Sequence, residues 1–93
     1  MWTVWEHRRL QKELSKLPID VLKRYQKWKD VVAFSGPQGL RMIRGFRDGS
    51  LLGRWAGCRS SRLNQQYRVI YRVVARDVRV EVIDVTAHDY RKK

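Results

Sequence analysis

Two groups of residues in this 93-residue chain have side chains that could act on a phosphodiester. The first is a set of arginines in the C-terminal half: Arg59, Arg62, Arg68 and Arg72. A guanidinium group makes bidentate contacts with phosphate, so arginines gathered on one sheet face could hold a phosphodiester and neutralise charge that grows during attack. The simpler interpretation is a solvated basic face with cross-strand pairs to Glu81 and Asp84. We favour that interpretation for Arg72, and the phosphate role for Arg62 and Arg68.

The second group is the C-terminal segment His88-Asp89-Tyr90-Arg91. Histidine titrates near neutrality and can move a proton, a tyrosine hydroxyl can orient a phosphate, and RNA supplies its own nucleophile in the ribose 2′-hydroxyl. Taken alone, a histidine near a C-terminus is usually an exposed polar residue, and the surface interpretation is clearly stronger for His7. No acidic or histidine grouping has metal-ligand spacing, so the sequence supports only catalysis without a metal or cofactor.

Charge indicates what kind of partner the chain has. There are 21 lysines and arginines against 9 acidic residues, a formal net charge of +12. Because such self-repulsion destabilises a compact fold, we expect a polyanionic partner: nucleic acid first, an acidic protein second and a membrane surface third. Further candidate RNA contacts are Arg59, Arg41, Arg44, Arg47 and Arg54.

The N-terminal half has the period of helices. Trp2 to Trp5 alternates as a short strand does, and Leu10, Leu14 and Leu17 give a first helix over Glu6–Lys16. Pro18 suits the first turn of a second helix that runs to about Phe34. Its predicted buried stripe is Val21, Tyr25, Trp28 and Val32. Gly36 and Pro37 end it.

The C-terminal half has the composition of strands. Arg59–Asn64, Tyr67–Ala75 and Val78–Ala87 are predicted to form an antiparallel meander, with a hairpin turn at Ala75-Arg76-Asp77. By alternation, Tyr67, Val69 and Tyr71 face the helices while Arg68, Ile70 and Arg72 face the other way. If no bulge intervenes, Val80, Val82, Asp84, Thr86 and His88 share a face.

The predicted fold class is therefore α+β, with a helical hairpin packed on a curved antiparallel sheet. The length allows one domain, 1–93. The chain has no apolar run that could cross a bilayer, no signal-peptide pattern and a single cysteine, Cys58. These features predict a cytoplasmic protein.

Three segments follow one another in the chain: the glycine-punctuated segment 45–53 leading to Trp55, then Arg62-Leu63-Asn64-Gln65-Gln66-Tyr67-Arg68-Val69-Ile70-Tyr71, and finally His88-Asp89-Tyr90. In this order they resemble the RelE/ParE superfamily of toxins from toxin–antitoxin systems. The similarity spans essentially the whole chain. It is greater to the RelE, HigB and YoeB-like mRNA interferases than to the gyrase-poisoning ParE branch.

The resemblance implies a metal-independent endoribonuclease that cleaves mRNA in the ribosomal A site by 2′-hydroxyl attack. Arg68 matches the strand arginine that stabilises the phosphate, and Arg62 matches a basic position on the preceding strand. His88 and Tyr90 match the acid/base and orienting residues, and Asp89 assists His88. The chain lacks the lysine pair of RelE-like members and the glutamate base of YoeB-like ones, so His88 is the first candidate for the base.

The resemblance also implies a cognate antitoxin that covers the basic surface and the site. Operator DNA is bound only through the toxin–antitoxin complex. Two rival interpretations stay open: a ParE-like gyrase inhibitor without catalysis, and a plain nucleic-acid-binding module.

Overall fold

A computed structural model describes residues 1–87, and residues 88–93 lie outside the described part. In chain order the elements are β1 (Thr3–Glu6), α1 (Leu10–Ser15), α2 (Ile19–Ser35), α3 (Gln38–Arg41), β2 (Gly49–Ser50), β3 (Arg59–Arg62), β4 (Arg68–Val74) and β5 (Arg79–Thr86). Short 3-10 turns occupy Arg44–Phe46, Gly53–Trp55 and Ala75–Asp77. The predicted α+β class and the order of its main elements are confirmed.

The long helix α2 carries the apolar stripe that its period predicts. Val21, Tyr25, Trp28 and Val32 are all buried, with at most 2% of their surface exposed. They pack in one core with residues of β4 and β5, namely Val69, Tyr71, Val80, Val82 and Val85. Burial of these side chains supplies the main driving force for closing the helix onto the sheet.

Helix α2 ends at Gly36 for two physical reasons. Its φ of 76° lies in the region that favours glycine, and its backbone N–H donates to the carbonyl of Val32 at 2.8 Å. A Cβ on Gly36 would also lie 2.7 Å from Nε1 of Trp2. The predicted glycine stop is confirmed.

Helix α1 is shorter than the predicted Glu6–Lys16. Glu6 belongs to β1, where it pairs with Val82, and the backbone N–H of Leu10 donates to the carbonyl of His7 in the turn between them. Helix α1 therefore begins later than its helical period predicted, because Glu6 pairs with β5 and residues 7–9 form the turn that follows.

The sheet order among the described residues is β1-β5-β4-β3-β2. Strands β2 to β5 pair antiparallel, and β3, β4 and β5 form the predicted meander. Strand β1 pairs with β5 in parallel. The two-residue strand β2 was not predicted. We call the sheet surface that packs on α2 the helix face and the opposite surface the open face.

A β-bulge at Ile83 changes which residues of β5 share a face. Tyr71 pairs with Val82, but Ile70 pairs with Asp84, so Ile83 is left between the two pairs. Val85 then joins the core, while Asp84 lies on the open face. The prediction that Asp84 and Thr86 share a face with Val80 and Val82 is wrong for this reason.

Within residues 1–87, no helix combines the length and the hydrophobicity that crossing a bilayer requires.

Candidate nucleic-acid interface

Arg62 and Arg68 stand side by side on the open face. They are paired residues of the antiparallel strands β3 and β4, and Arg68 is paired in turn with Thr86 of β5. Directly opposed residues of antiparallel strands point to the same side of a sheet. The structure thus places the two arginines predicted to hold phosphate in one row across three strands.

Both arginines of this row are partly removed from water. Arg68 is only 9% exposed and takes part in contacts with its surroundings. Nε of Arg62 is buried, and within the described part of the chain it has no hydrogen-bond partner. Buried N–H groups in proteins are nearly always satisfied, so this group is suited to an acceptor supplied by a ligand. A phosphate oxygen is such an acceptor.

Arg72 lies further along the open face and is held by an acidic residue. Its Nη2 donates to Oε1 of Glu81, while Oε2 of Glu81 accepts from Arg79 at 2.9–3.0 Å. The hydrogen bond with Glu81 outweighs the small effect of burial and raises the pKa of Arg72. The simpler interpretation, a cross-strand ion pair, is therefore confirmed for Arg72.

Arg59 lies on the helix face, away from Arg62 and Arg68. Its Nε and Nη2 donate to Oδ2 of Asp48 at 3.0 and 2.7 Å, and its Nη1 donates to Ser50. The structure does not bring Arg59 into the row predicted from the sequence. Its odd spacing of three from Arg62 is the signal that could have shown this, because strand residues three apart face opposite ways.

Asp48, whose side chain is fully buried, is the residue that sequence reasoning missed. Besides Arg59 it accepts hydrogen bonds from the hydroxyls of Ser61, at 2.8 Å, and Tyr71. Nε1 of Trp28 donates to the hydroxyl of Ser61 at 3.0 Å, which links the network to α2. Through these bonds Asp48 fixes β3, and hence Arg62, against β4 and the helix layer.

The remaining candidate RNA contacts, Arg41, Arg44, Arg47 and Arg54, are all exposed. Arg41 ends α3, with Nε 4.0 Å from Oδ2 of Asp48, while Arg44 and Arg47 begin and follow the next 3-10 turn. Arg54 lies in the turn Gly53–Trp55. Arg41, Arg44 and Arg47 precede β2 in the chain and Arg54 follows it, whereas the arginine row crosses β3, β4 and β5.

His88, Asp89 and Tyr90 lie outside the described residues, so their predicted catalytic roles stay predictions. Thr86, two positions earlier in the chain, is paired with Arg68 at the end of β5. Among residues 1–87, no three His, Cys, Asp or Glu side chains are grouped as a metal ion would need.

Solved structures share this architecture over nearly the whole chain. A chain of the archaeal RelE–RelB complex from Pyrococcus horikoshii OT3 superimposes with a TM-score of 0.73 and 24% identity, covering 92% of this chain and 93% of its own. This chain has a RelE-like fold. The toxin–antitoxin complex RelBE2 from Mycobacterium tuberculosis gives a TM-score of 0.67, 23% identity and coverage of 92% and 96%. A chain of the YoeB–YefM complex from Staphylococcus aureus gives a TM-score of 0.71 and 13% identity, covering 96% of this chain and 99% of its own.

The sequence itself matches no protein-family model and no curated protein. The RelE-like fold is therefore established by the three-dimensional arrangement, since core patterning survives at identities where sequence comparison fails.

Proposed function

We propose that this chain is the toxin of a type II toxin–antitoxin system and that it cleaves mRNA on the ribosome in the cytoplasm. The observation that supports this most directly is the Arg62–Arg68 row on the open face of a RelE-like fold, with a buried guanidinium N–H of Arg62 that finds no acceptor among residues 1–87. The net charge of +12 favours a polyanionic substrate.

In the proposed reaction the ribose 2′-hydroxyl attacks the adjacent phosphorus. A P–O bond forms to the 2′-oxygen and the bond to the 5′-oxygen breaks, leaving a 2′,3′-cyclic phosphate and a free 5′-hydroxyl. Arg62 and Arg68 bind the phosphate oxygens and stabilise the extra negative charge of the transition state. His88 accepts the 2′-hydroxyl proton with Asp89 beside it, Tyr90 orients the leaving group, and the departing 5′-oxygen takes up a proton from water to become the 5′-hydroxyl. The chain needs no metal for these steps.

An antitoxin is the second proposed partner. The complexes with similar folds contain RelB and YefM beside the toxin chain. A partner segment with acidic residues would complement the arginine row and keep it from RNA. Operator DNA would be bound by the antitoxin part of such a complex.

Cleavage of mRNA after brief induction tests the proposal. Primer extension on cellular mRNA should show new 5′ ends within coding sequence, and Arg62→Gln and Arg68→Lys should each reduce them at least about 10-fold, since lysine keeps the charge of Arg68 but loses its planar fork. Lys27→Gln, on the exposed side of α2, is the matched control and should cleave like the parent chain. Melting curves confirm that each variant is folded.

Three outcomes would contradict the proposal. Intact mRNA together with double-strand DNA breaks would select the gyrase-inhibitor interpretation instead. RNA binding with a steep salt dependence but no product would select the plain binding module. Full cleavage by both arginine variants would show that the site lies elsewhere.

A further inference from the structure

A cavity lies at the β1 edge of the sheet, beside the open-face residues Trp5, Glu81 and Arg72. It has a volume of about 450 Å³ and is lined by Trp5, Glu6, His7, Arg8, Arg72 and Glu81. Trp5, Glu81 and Arg72 form one cross-strand row, parallel to the Arg62–Arg68 row. Trp5 is 54% exposed, which is high for a large aromatic side chain within a strand.

The Trp5 ring is fixed by its neighbours although so much of it is exposed. The guanidinium of Arg79 lies 3.9 Å from the ring centroid, and Glu81 and Asp77 hold that guanidinium in turn. The cation–π contact orients the indole and covers one of its faces, while 54% of Trp5 stays exposed. The Trp5 ring is thus already oriented before any ligand binds, and a flat ligand can stack on the part of the ring that lines the cavity.

The cavity wall carries two glutamates and two arginines, and both glutamates are paired. Glu81 is matched by Arg72 and Arg79, and Glu6 accepts hydrogen bonds from Tyr25 and Lys29. Arg8, by contrast, is exposed and forms no ion pair with any residue from 1 to 87. The wall therefore carries surplus positive charge at Arg8.

Another cavity lies at the end of β5, where Thr86 pairs with Arg68 of the arginine row. It has a volume of about 570 Å³ and is lined by Arg9, Trp55 and Thr86 among others, together with the acidic residues Glu13 and Asp84. Arg9 donates to the carbonyl of Ile83, the bulge residue between the two cavities, at 3.1 Å. Arg8 and Arg9 are adjacent in the chain, so basic side chains link the two. We call the surface formed by Trp5, Arg8, Arg72, Arg9 and Trp55 the tryptophan–arginine groove.

We infer that the tryptophan–arginine groove binds single-stranded RNA next to the scissile phosphate, with a base stacked on Trp5 and a phosphate bound by Arg8. This inference rests on the proposed nuclease function. Grooves for single strands combine basic side chains that follow the backbone with aromatic rings that stack bases, and both occur here. An acidic polypeptide would use the arginines but has no base to stack on Trp5, so RNA fits the groove better.

Binding to uncleavable RNA tests the groove directly. Fully 2′-O-methylated RNA oligonucleotides lack the attacking hydroxyl, so the affinity of the full chain can be measured by fluorescence anisotropy. Trp5→Ala should raise Kd about 5- to 100-fold, the range seen for loss of one base–aromatic stack, while Trp5→Phe should keep most of the affinity. Phe34→Ala removes an aromatic ring that is 85% exposed on α2 and should leave Kd unchanged.

A second variant keeps the test valid if Trp5→Ala fails to fold. Arg8→Gln should lower the slope of log Kd against log salt by about 0.7, the value for one phosphate contact with a single strand. Lys27→Gln should leave the slope as it is.

The outcomes separate the groove from the proposed function. If Arg62→Gln weakens binding but Trp5→Ala and Arg8→Gln do not, the groove is wrong and the nuclease proposal stands. If the parent chain binds no free RNA, the groove inference is overturned, while the primer-extension test decides the nuclease proposal on its own. If Trp5→Ala weakens binding of a polyglutamate peptide and leaves RNA affinity intact, the surface binds protein and the inference is overturned.

Discussion

The Tyr71 hydroxyl donates a hydrogen bond to the buried carboxylate of Asp48, and the Tyr71 ring stands edge-on to Trp28 with 5.2 Å between centroids. Burial and the hydrogen bond to Asp48 both raise the pKa of Tyr71, so its hydroxyl stays protonated as a donor. A polar residue from a loop and two aromatic residues from different layers thus form one unit at the centre of the fold.

Removing the Asp48 carboxylate should destabilise the protein strongly. Asp48→Ala leaves the Arg59 guanidinium and the Ser61 and Tyr71 hydroxyls without their acceptor, and losing one member of a buried ion pair costs about 3–5 kcal/mol. Urea unfolding should show this loss. Asp30→Ala, on exposed α2 where Asp30 accepts from Gln26, should change stability by less than about 0.5 kcal/mol. Equal losses of unfolding free energy for the two substitutions would show that the Asp48 hydrogen bonds do not stabilise the fold.

Arg59 should matter for stability and not for RNA contact. Arg59→Gln removes the cation bound to Asp48, with an expected loss of about 2 kcal/mol because Arg59 keeps some solvent exposure. The RNA affinity of the folded variant should stay within about twofold of the parent chain, since it retains the arginine row on the opposite face. Anisotropy and urea unfolding on the same sample check both statements. A loss of affinity as large as that of Arg62→Gln would restore Arg59 as an RNA contact.

Stability should fall in acid through Glu6. Burial raises the pKa of Glu6, but hydrogen bonds from Tyr25 and Lys29 outweigh it and hold the pKa below the ordinary 4.5. Because the folded-state pKa is the lower one, this contribution is present above about pH 4.5 and is lost as the pH falls through the folded-state value.

Glu6→Gln is therefore expected to melt about 4–8 °C below the parent chain at pH 7, for a loss of about 1 kcal/mol. The two melting temperatures should converge as the pH falls below the folded-state pKa of Glu6. Calorimetry across that range is the measurement, and Glu13→Gln on exposed α1 should follow the parent chain throughout. If the melting temperatures of Glu6→Gln and of the parent chain differ by the same amount at every pH, ionised Glu6 is not the source of the acid-sensitive stability.

Val78 holds a backbone conformation that does not suit its side chain. Its φ of 50° and ψ of 49° place a β-branched residue in the left-handed region, which costs about 1–2 kcal/mol. Val78→Asn should stabilise the protein by about 1 kcal/mol, because asparagine tolerates this conformation. Thermal melting measures the gain, and Arg76→Asn in the same turn serves as the control. A lower melting temperature for Val78→Asn would argue against strain at this position.

The parts of the fold that were predictable are those where one local pattern dominates. The α2 stripe repeats over about three turns, and burial follows it residue by residue from Val21 to Val32. The hairpin at Ala75–Asp77 was predictable from its short gap between two β-branched runs. Long periodic segments and tight turns are specified by their own residues.

The remainder depends on contacts distant in sequence. Nothing in Val82-Ile83-Asp84 marks a bulge, because three residues of alternating strand look the same with or without it. Parallel pairing of Thr3–Glu6 with β5 is set by packing across more than seventy positions. The structural role of Asp48 could not be predicted either. A single acidic residue in a glycine-containing loop is common, and only the folded structure brings its donors Arg59, Ser61 and Tyr71 together.

Pairing of the first strand with the last has a consequence for how the protein is made. Thr3–Glu6 leaves the ribosome early but must wait for Arg79–Thr86 before its backbone groups find their partners. The nascent polypeptide therefore cannot complete its five-stranded sheet until Arg79–Thr86 has left the ribosome. The strand pair of Arg68 with Thr86 forms at the same late stage, so the arginine row is assembled only when the last strand arrives.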